Sequence, residues 1–232
     1  IHRNIYRSHQ LEQSLPLVEQ PKAYNRGANG KNYAIAVLDT GADYRHPDLG
    51  SCSQPSKDCR VTISMDTTTE DDGQLDADPD KHGTNVAAIA ARTAPDSSII
   101  ALDVFEQQGA ADSDVIKALD WVISNQSAHN IVAVNMSLGS NNSHTAECEN
   151  TVYNSAFGWL RQQEIQVVVS AGNDTIKDGL SIPACHPLAI SVGATTDSLT
   201  QATRYSSCAD DTLPTDSVAC FSPSAPTLDI LA

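Results

Sequence analysis

The chain is short of basic residues, with 14 Lys and Arg against 29 Asp and Glu and a formal net charge of −15. Phosphate backbones are held by basic faces, so nucleic acid is excluded as an expected partner. Uninterrupted apolar runs are also missing: none approaches the roughly 20 residues that span a bilayer as a helix. The stretch Ile1–Glu19 is polar and lacks the apolar core of a signal peptide. No membrane partner is expected. The first residue is Ile and not Met, which suggests processing upstream. None of the six cysteines forms a C-x-x-C pair, unlike a zinc site. Internal repeats and linkers are absent as well.

What remains is ordinary for a folded protein. Its 232 residues are 40% hydrophobic and 19% charged, enough for one large α/β domain or two small ones. Cys52 and Cys59 flank one short polar loop, and Cys208 and Cys220 flank another. Cys148 and Cys185 are left to pair over a longer separation. An even number of cysteines in Ser-, Asp- and Pro-rich loops favours three disulfides and an oxidising compartment, hence a secreted protein.

Short apolar runs at Tyr33–Leu38, Ile99–Phe105, Ile131–Met136, Ile165–Ser170 and Leu188–Val192 have the composition of strands buried on both faces. Helical patterns lie between them. Thr84–Arg92 is rich in alanine, and Ala111–Ser127 sets Val115, Leu119, Val122 and Ile123 on one face. Thr145–Gln163 does the same with Val152, Ala156, Trp159 and Leu160. The alternation predicts an α/β three-layer sandwich around a mostly parallel central sheet, with a site at the carboxyl ends of its strands. Acidic Glu70–Asp80 and polar Ser206–Ser224 are expected surface loops. Calcium at the acidic loop is conceivable, but EF-hand spacing is absent.

Three polar clusters follow predicted strands or open a helix. Asp39 closes an apolar run, where a carboxylate is costly unless it is hydrogen-bonded. An imidazole N–H would supply that bond. His82 opens a helix beside the small residues Gly83 and Thr84, and Asn173 follows Ala171 and Gly172 at a strand end. Together they offer an acid, a base and an amide donor for an oxyanion. Each alone is a common structural residue; their joint occurrence in order is what carries the reading.

These blocks resemble those of the subtilisin-like serine proteases. D-T-G at Asp39–Gly41 with H-P-D-L at His46–Leu49 resembles the family's aspartate block, and H-G-T at His82–Thr84 its histidine block. N-M-S-L-G at Asn135–Gly139 and S-A-G-N at Ser170–Asn173 resemble its substrate and oxyanion segments. I-S-V-G-A at Ile190–Ala194 and L-D-I-L-A at Leu228–Ala232 resemble the stretches leading toward the nucleophile. The resemblance runs from Gly30 to Ala232, which makes residues 30–232 the peptidase domain and residues 1–29 an extension packed on it. It implies that Asp39 orients His82, that His82 is the general base and that Asn173 binds the oxyanion. It also implies that Ser137, Leu138 and Gly139 meet an extended polypeptide substrate, and that Ser170, Ala171 and Gly172 line the pocket for the residue before the cleaved bond.

The chain departs from the family in four places. No G-T-S-M-A or G-x-S-x-G carries a nucleophilic serine, so that residue is expected on a segment downstream of Ala232, which would make a cleaved carboxyl-terminal fragment a possible partner. Asn85 stands where many relatives have a second histidine, and Ala88 where a glycine is usual. The chain passes from Arg92 through Pro95 directly to the next strand, without the calcium-binding loop of many subtilisins. Asp48 thereby loses its co-ligands. No metal site is predicted and no cofactor is expected to be required, although structural calcium elsewhere stays open. Two other readings compete. A peptide-binding pseudoprotease would explain the missing serine but not the retained Asp39, His82 and Asn173. Leu38–Asp43 (L-D-T-G-A-D) also resembles the active-site strand of retroviral-type aspartic proteases, but those are all-β dimers.

Overall fold

The structure, a computed structural model, describes residues 11–68, 81–106, 109–140, 142–149, 151–198 and 202–232. Its centre is a seven-stranded sheet: β1 (Ala34–Asp39), β2 (Val61–Asp66), β3 (Ser98–Asp103), β4 (Ile131–Met136), β5 (Gln166–Ser170), β6 (Ile190–Gly193) and β7 (Ile230–Leu231). The spatial order is β7-β6-β5-β4-β1-β3-β2, and every neighbouring pair is parallel. All carboxyl ends therefore share one edge.

Side chains alternate across β1, and that alternation builds two cores. Ala34, Ala36 and Leu38 pack with Val115, Leu119 and Val122 of α4 (Asp112–His129) and with Phe157 and Leu160 of α5 (Asn154–Gln162). Val37 points the other way, onto Ala87, Ala88 and Ala91 of α3 (His82–Thr93). Helices thus cover both faces, giving three layers, as a sheet of central parallel strands requires. Small residues on the inner face of α3 bring its backbone close to the sheet. Two short helices, α1 (Leu11–Leu17) and α2 (Gln20–Asn25), precede β1. The Ser14 hydroxyl donates to Asp197 Oδ2 (2.7 Å), and Gln20 Nε2 donates to the Thr93 carbonyl (3.0 Å).

Strands β1, β3, β4, β5 and β6 fall on the predicted runs within two residues at most ends. β2 and β7 were not anticipated as strands. In β2 polar residues alternate with apolar ones (V-T-I-S-M-D), because it is an edge strand and mostly half-buried. The largest correction concerns α5, which starts at Asn154 and not near Thr145. Cys148 is bonded to Cys185, and its N–H donates to the Cys185 carbonyl (3.0 Å). Asn154 Oδ1 then takes hydrogen bonds from the Thr151 N–H (3.0 Å) and hydroxyl (3.2 Å), a turn that excludes helix upstream. Val152, expected in the core, is 60% exposed, and Tyr153 and Phe157 are buried in its place. The expected loop Glu70–Asp80 lies outside the described residues.

The three disulfides are Cys52–Cys59, Cys148–Cys185 and Cys208–Cys220. Cys148–Cys185 closes the longest loop, 37 residues apart in sequence. By chain-entropy reasoning it restrains the unfolded chain by about 4 kcal/mol.

His186, next to that bridge, is 4% exposed with its ring edge-on to Phe157. Its Nδ1 accepts the Leu188 N–H (3.1 Å), and its Nε2 stands 3.1 Å from Asn154 Oδ1. Those partners fix the neutral tautomer with the proton on Nε2. Burial lowers its pKa below the ordinary 6.5. Between the lowered value and 6.5 the unfolded chain binds the extra proton, so the stabilisation is complete above pH 6.5 and declines as pH falls below it. Urea denaturation from pH 8 to 5 is expected to show this decline, weakened in His186→Gln. Equal slopes for the two proteins would refute it.

Candidate active site

The sheet's carboxyl edge gathers the predicted residues. Asp39 ends β1, Met136 ends β4 and Ser170 ends β5. Leu38 is level with Met136, and Met136 with Val169. The segments after Asp39, Met136 and Val169 thus leave the sheet in one row, about 5 Å per strand apart. His82 is the first residue of α3, directly after Lys81, whose φ is 56°.

His82 Nδ1 lies 2.7 Å from Asp39 Oδ1. An ionised carboxylate only accepts, so the proton of that bond sits on Nδ1 and Nε2 is left free to take another. Asp39 is 1% exposed, whereas the His82 side chain is half-exposed. The same Oδ1 accepts the Thr40 N–H (2.8 Å) and the Thr40 hydroxyl (3.3 Å). Oδ2 is buried without a hydrogen-bond partner among the described residues. Burial raises the Asp39 pKa above its ordinary 3.8, against the opposing hydrogen bonds from His82 and Thr40. The site thus holds a desolvated carboxylate against a reachable imidazole. Such a pair can hold one tautomer and stabilise an imidazolium.

Thr40, to which the sequence reading assigned no separate role, joins the two halves. Its hydroxyl also accepts the Gly83 N–H (2.9 Å), so it holds the end of β1 to the start of α3. The Thr84 hydroxyl accepts the Asp43 N–H (2.8 Å) in the same seam. The D-T-G and H-G-T motifs contain Thr40, Gly83 and Thr84, and Asp43 lies two residues past Gly41. Their mutual bonds depend on packing between segments more than 40 positions apart.

On the other side of the row, the Ser137 hydroxyl takes a hydrogen bond from Asn135 Nδ2 (3.0 Å), Leu138 packs partly into the core and Gly139 is exposed. The Ser140 N–H donates to the Ile182 carbonyl (2.8 Å). Ser170 is half-buried, and Ala171 is buried with its N–H on the Val192 carbonyl (2.8 Å). Gly172 has φ +109°, a backbone that side chains rarely tolerate, and it turns the chain so that Asn173 is exposed. The hydrogen bond that Asp39 accepts from His82 Nδ1 joins it directly to that residue alone among the predicted site residues; the others share its edge of the sheet.

Among the described residues no three His, Cys, Asp or Glu side chains gather as a metal cluster. Arg92 Nε lies 3.8 Å from Asp48 Oδ1, so a positive side chain stands beside that carboxylate.

Residues 30–230 match the subtilase family. Subtilisin E of Bacillus subtilis (strain 168) is 31% identical over 208 residues, covering 82% of this chain and 49% of that protein. The major intracellular serine protease of the same strain is 28% identical over 202 residues, covering 80% and 58%. The chain thus spans about half the length of curated relatives it matches. A cold-adapted subtilisin-like serine proteinase has a similar structure, with a TM-score of 0.61 at 25% identity over 88% of this chain and 63% of that one. A lanthipeptide protease shares the fold, with a TM-score of 0.70 at 18% identity over 96% and 61%. A parallel sheet in this order, an aspartate and a histidine paired across its edge, and a match over residues 30–230 agree: the chain belongs to the subtilase family.

Proposed function

We propose that the protein containing this chain is a serine-type endopeptidase. The 2.7 Å Asp39–His82 bond at the carboxyl edge is the observation that carries the reading. Asp39 holds His82 in the tautomer whose Nε2 accepts the nucleophile's proton. His82 then returns that proton to the leaving amine. Asn173 offers its side-chain amide to the oxyanion. Ser137–Gly139 presents backbone to an extended polypeptide, and Ser170–Gly172 flanks the residue before the cleaved bond. The nucleophile is a serine outside Ile1–Ala232, on a downstream segment or a separately cleaved fragment that binds this chain. No cofactor is needed for this chemistry. Three disulfides support an extracellular or otherwise oxidising location.

The test uses the complete protein. It is expected to hydrolyse a peptide ester and to form a stoichiometric adduct with a fluorophosphonate on a serine outside these 232 residues. A protein that binds peptides but neither turns over the ester nor takes the label would be a binding module, and the proposal would fail.

A further inference from the structure

The side chain of Asn173 is exposed and has no hydrogen-bond partner among the described residues. A donor for an oxyanion stabilises charge only if it is already in place when the charge forms. With no side-chain bond to hold it, the amide depends on the backbone that carries it. On the amino side that backbone is fixed: β5 ends at Ser170, the Ala171 N–H is bonded to the Val192 carbonyl (2.8 Å), and Gly172 turns the chain at φ +109°. On the carboxyl side the chain leaves the sheet. Residues 174–179 belong to no helix or strand, and Thr175 has φ 62°, a conformation uncommon for a β-branched residue.

One segment, residues 220–224, holds this stretch. The Thr175 N–H donates to the Phe221 carbonyl (3.0 Å), and the Ser224 N–H donates to the Ile176 carbonyl (2.9 Å). Lys177 then reaches across: its Nζ donates to the carbonyls of Cys220 (2.9 Å) and Ser222 (2.6 Å). The holding segment is itself anchored to the sheet just past β6. The Ala219 N–H donates to the Ala194 carbonyl (3.0 Å), and the Ala194 N–H donates to the Ser222 hydroxyl (2.9 Å). Cys220 is bonded to Cys208, and its N–H donates to the Asp210 carboxylate (3.1 Å). An exposed lysine has a flexible four-carbon stem and ordinarily stays hydrated. Here two of its three N–H groups are spent on main-chain oxygens, in charge-assisted bonds about twice as strong as neutral ones.

Resting on the assignment of Asn173 to the oxyanion, we infer that Lys177 is a positioning residue: it clamps the loop that carries Asn173 to residues 220–224 and so holds the amide in place before charge develops. Asp174, Thr175 and Ile176 alone separate the clamp from Asn173, so slack at Nζ passes along a short piece of chain. The two backbone bonds of Thr175 and Ile176 set the path of the loop, and the ammonium closes it. Lys177 touches neither substrate nor the reacting atoms, and its effect on the reaction runs through Asn173.

The complete protein and its variants are assayed for kcat and KM on a peptide ester. Deleting an oxyanion donor lowers kcat by about 10²–10³-fold, a figure that comes from a subtilisin, and a donor held loosely forfeits part of that. Lys177→Met keeps the length of the side chain but cannot donate. It is expected to lower kcat about tenfold with KM within about twofold, because the oxyanion exists only beyond the ground state. Lys177→Arg, whose guanidinium offers paired N–H groups to the two carbonyls, should recover most of the loss. In an Asn173→Ala background, Lys177→Met should cost less than about twofold, since no amide is left to position. Equal losses in both backgrounds, a change confined to KM, or a kcat untouched by Lys177→Met would overturn the role of Lys177 and leave the hydrolytic reading standing. If Asn173→Ala itself keeps full kcat, the oxyanion assignment and the role of Lys177 fall together. An unaltered protein that neither turns over the ester nor takes the fluorophosphonate would overturn the hydrolytic reading and this role with it. Should Lys177→Met fail to fold, Lys177→Gln, too short to span both carbonyls, is held to the same outcomes.

Discussion

Asp39→Asn is expected to lower kcat for peptide-ester hydrolysis at pH 7 by about 10⁴-fold, the size such substitutions have in Asp-His-Ser triads, and at the same time to raise the melting temperature. Both effects come from the same 2.7 Å bond and the same burial. A carboxamide presents an N–H donor as well as an acceptor, so it no longer demands the proton on Nδ1. The proton then resides on Nε2 in part of the molecules, and the base is blocked. On the stability side, burial raises the Asp39 pKa. Between 3.8 and the raised value the folded chain holds a proton that the unfolded chain has lost, so stability falls as pH rises through that window. At neutral pH the ionised Asp39 is a net cost to the fold, which asparagine removes. Thermal melts at pH 4 and pH 7 check the sign: the gain from Asp39→Asn should be larger at pH 7. A variant that keeps activity within tenfold would remove Asp39 from the mechanism.

The second large effect is expected at Gly83. A Cβ there would sit 2.1 Å from the Gly41 carbonyl oxygen and 3.1 Å from both the Thr40 nitrogen and its hydroxyl oxygen. The closest of these is backbone and has no rotamer to escape by, so α3 must move away from the end of β1. That movement breaks the Gly83–Thr40 bond and draws His82 from Asp39. Gly83→Ala is expected to cost about 1–3 kcal/mol, as overpacking does, and to lower kcat at least about 10²-fold, as a displacement near 1 Å of a reacting group does. Gly158 is the control: it lies in α5, and a Cβ there would meet nothing within 4 Å. Gly158→Ala should stabilise by up to about 1 kcal/mol through helix propensity and leave activity unchanged. If Gly83→Ala behaves like Gly158→Ala in urea unfolding and ester hydrolysis, the close approach at Gly83 has no consequence.

Much of this architecture was legible because buried parallel strands are nearly continuous apolar runs. Y-A-I-A-V-L and I-V-A-V-N-M announced β1 and β4 in that way. The same signal fails at a half-buried edge, where V-T-I-S-M-D forms β2 without a continuous apolar run. It also fails where a cross-link overrides a local pattern. The apolar spacing of Thr145–Gln163 favours one long helix, but the Cys148–Cys185 bridge and the Asn154 turn hold its first half out of helical form. Val152 is exposed as a result.

By itself the sequence determined the alternation of strand and helix, the six cysteines in loops, and an ordered set of motifs that resembles one family. These are local properties: period, composition and short spacing survive in a linear string. Tertiary structure decided which atoms meet. Thr40 is tied to Gly83, and Gly139 packs so closely on Ser181 that a Cβ there would lie 2.6 Å from its hydroxyl oxygen. Such contacts join segments about 40 residues apart, and a shift of an ångström in either partner makes or removes them. The sheet supplies that precision, because its register sets Asp39, Ser137 and Ser170 at one edge and leaves the loops between them only to close the gaps.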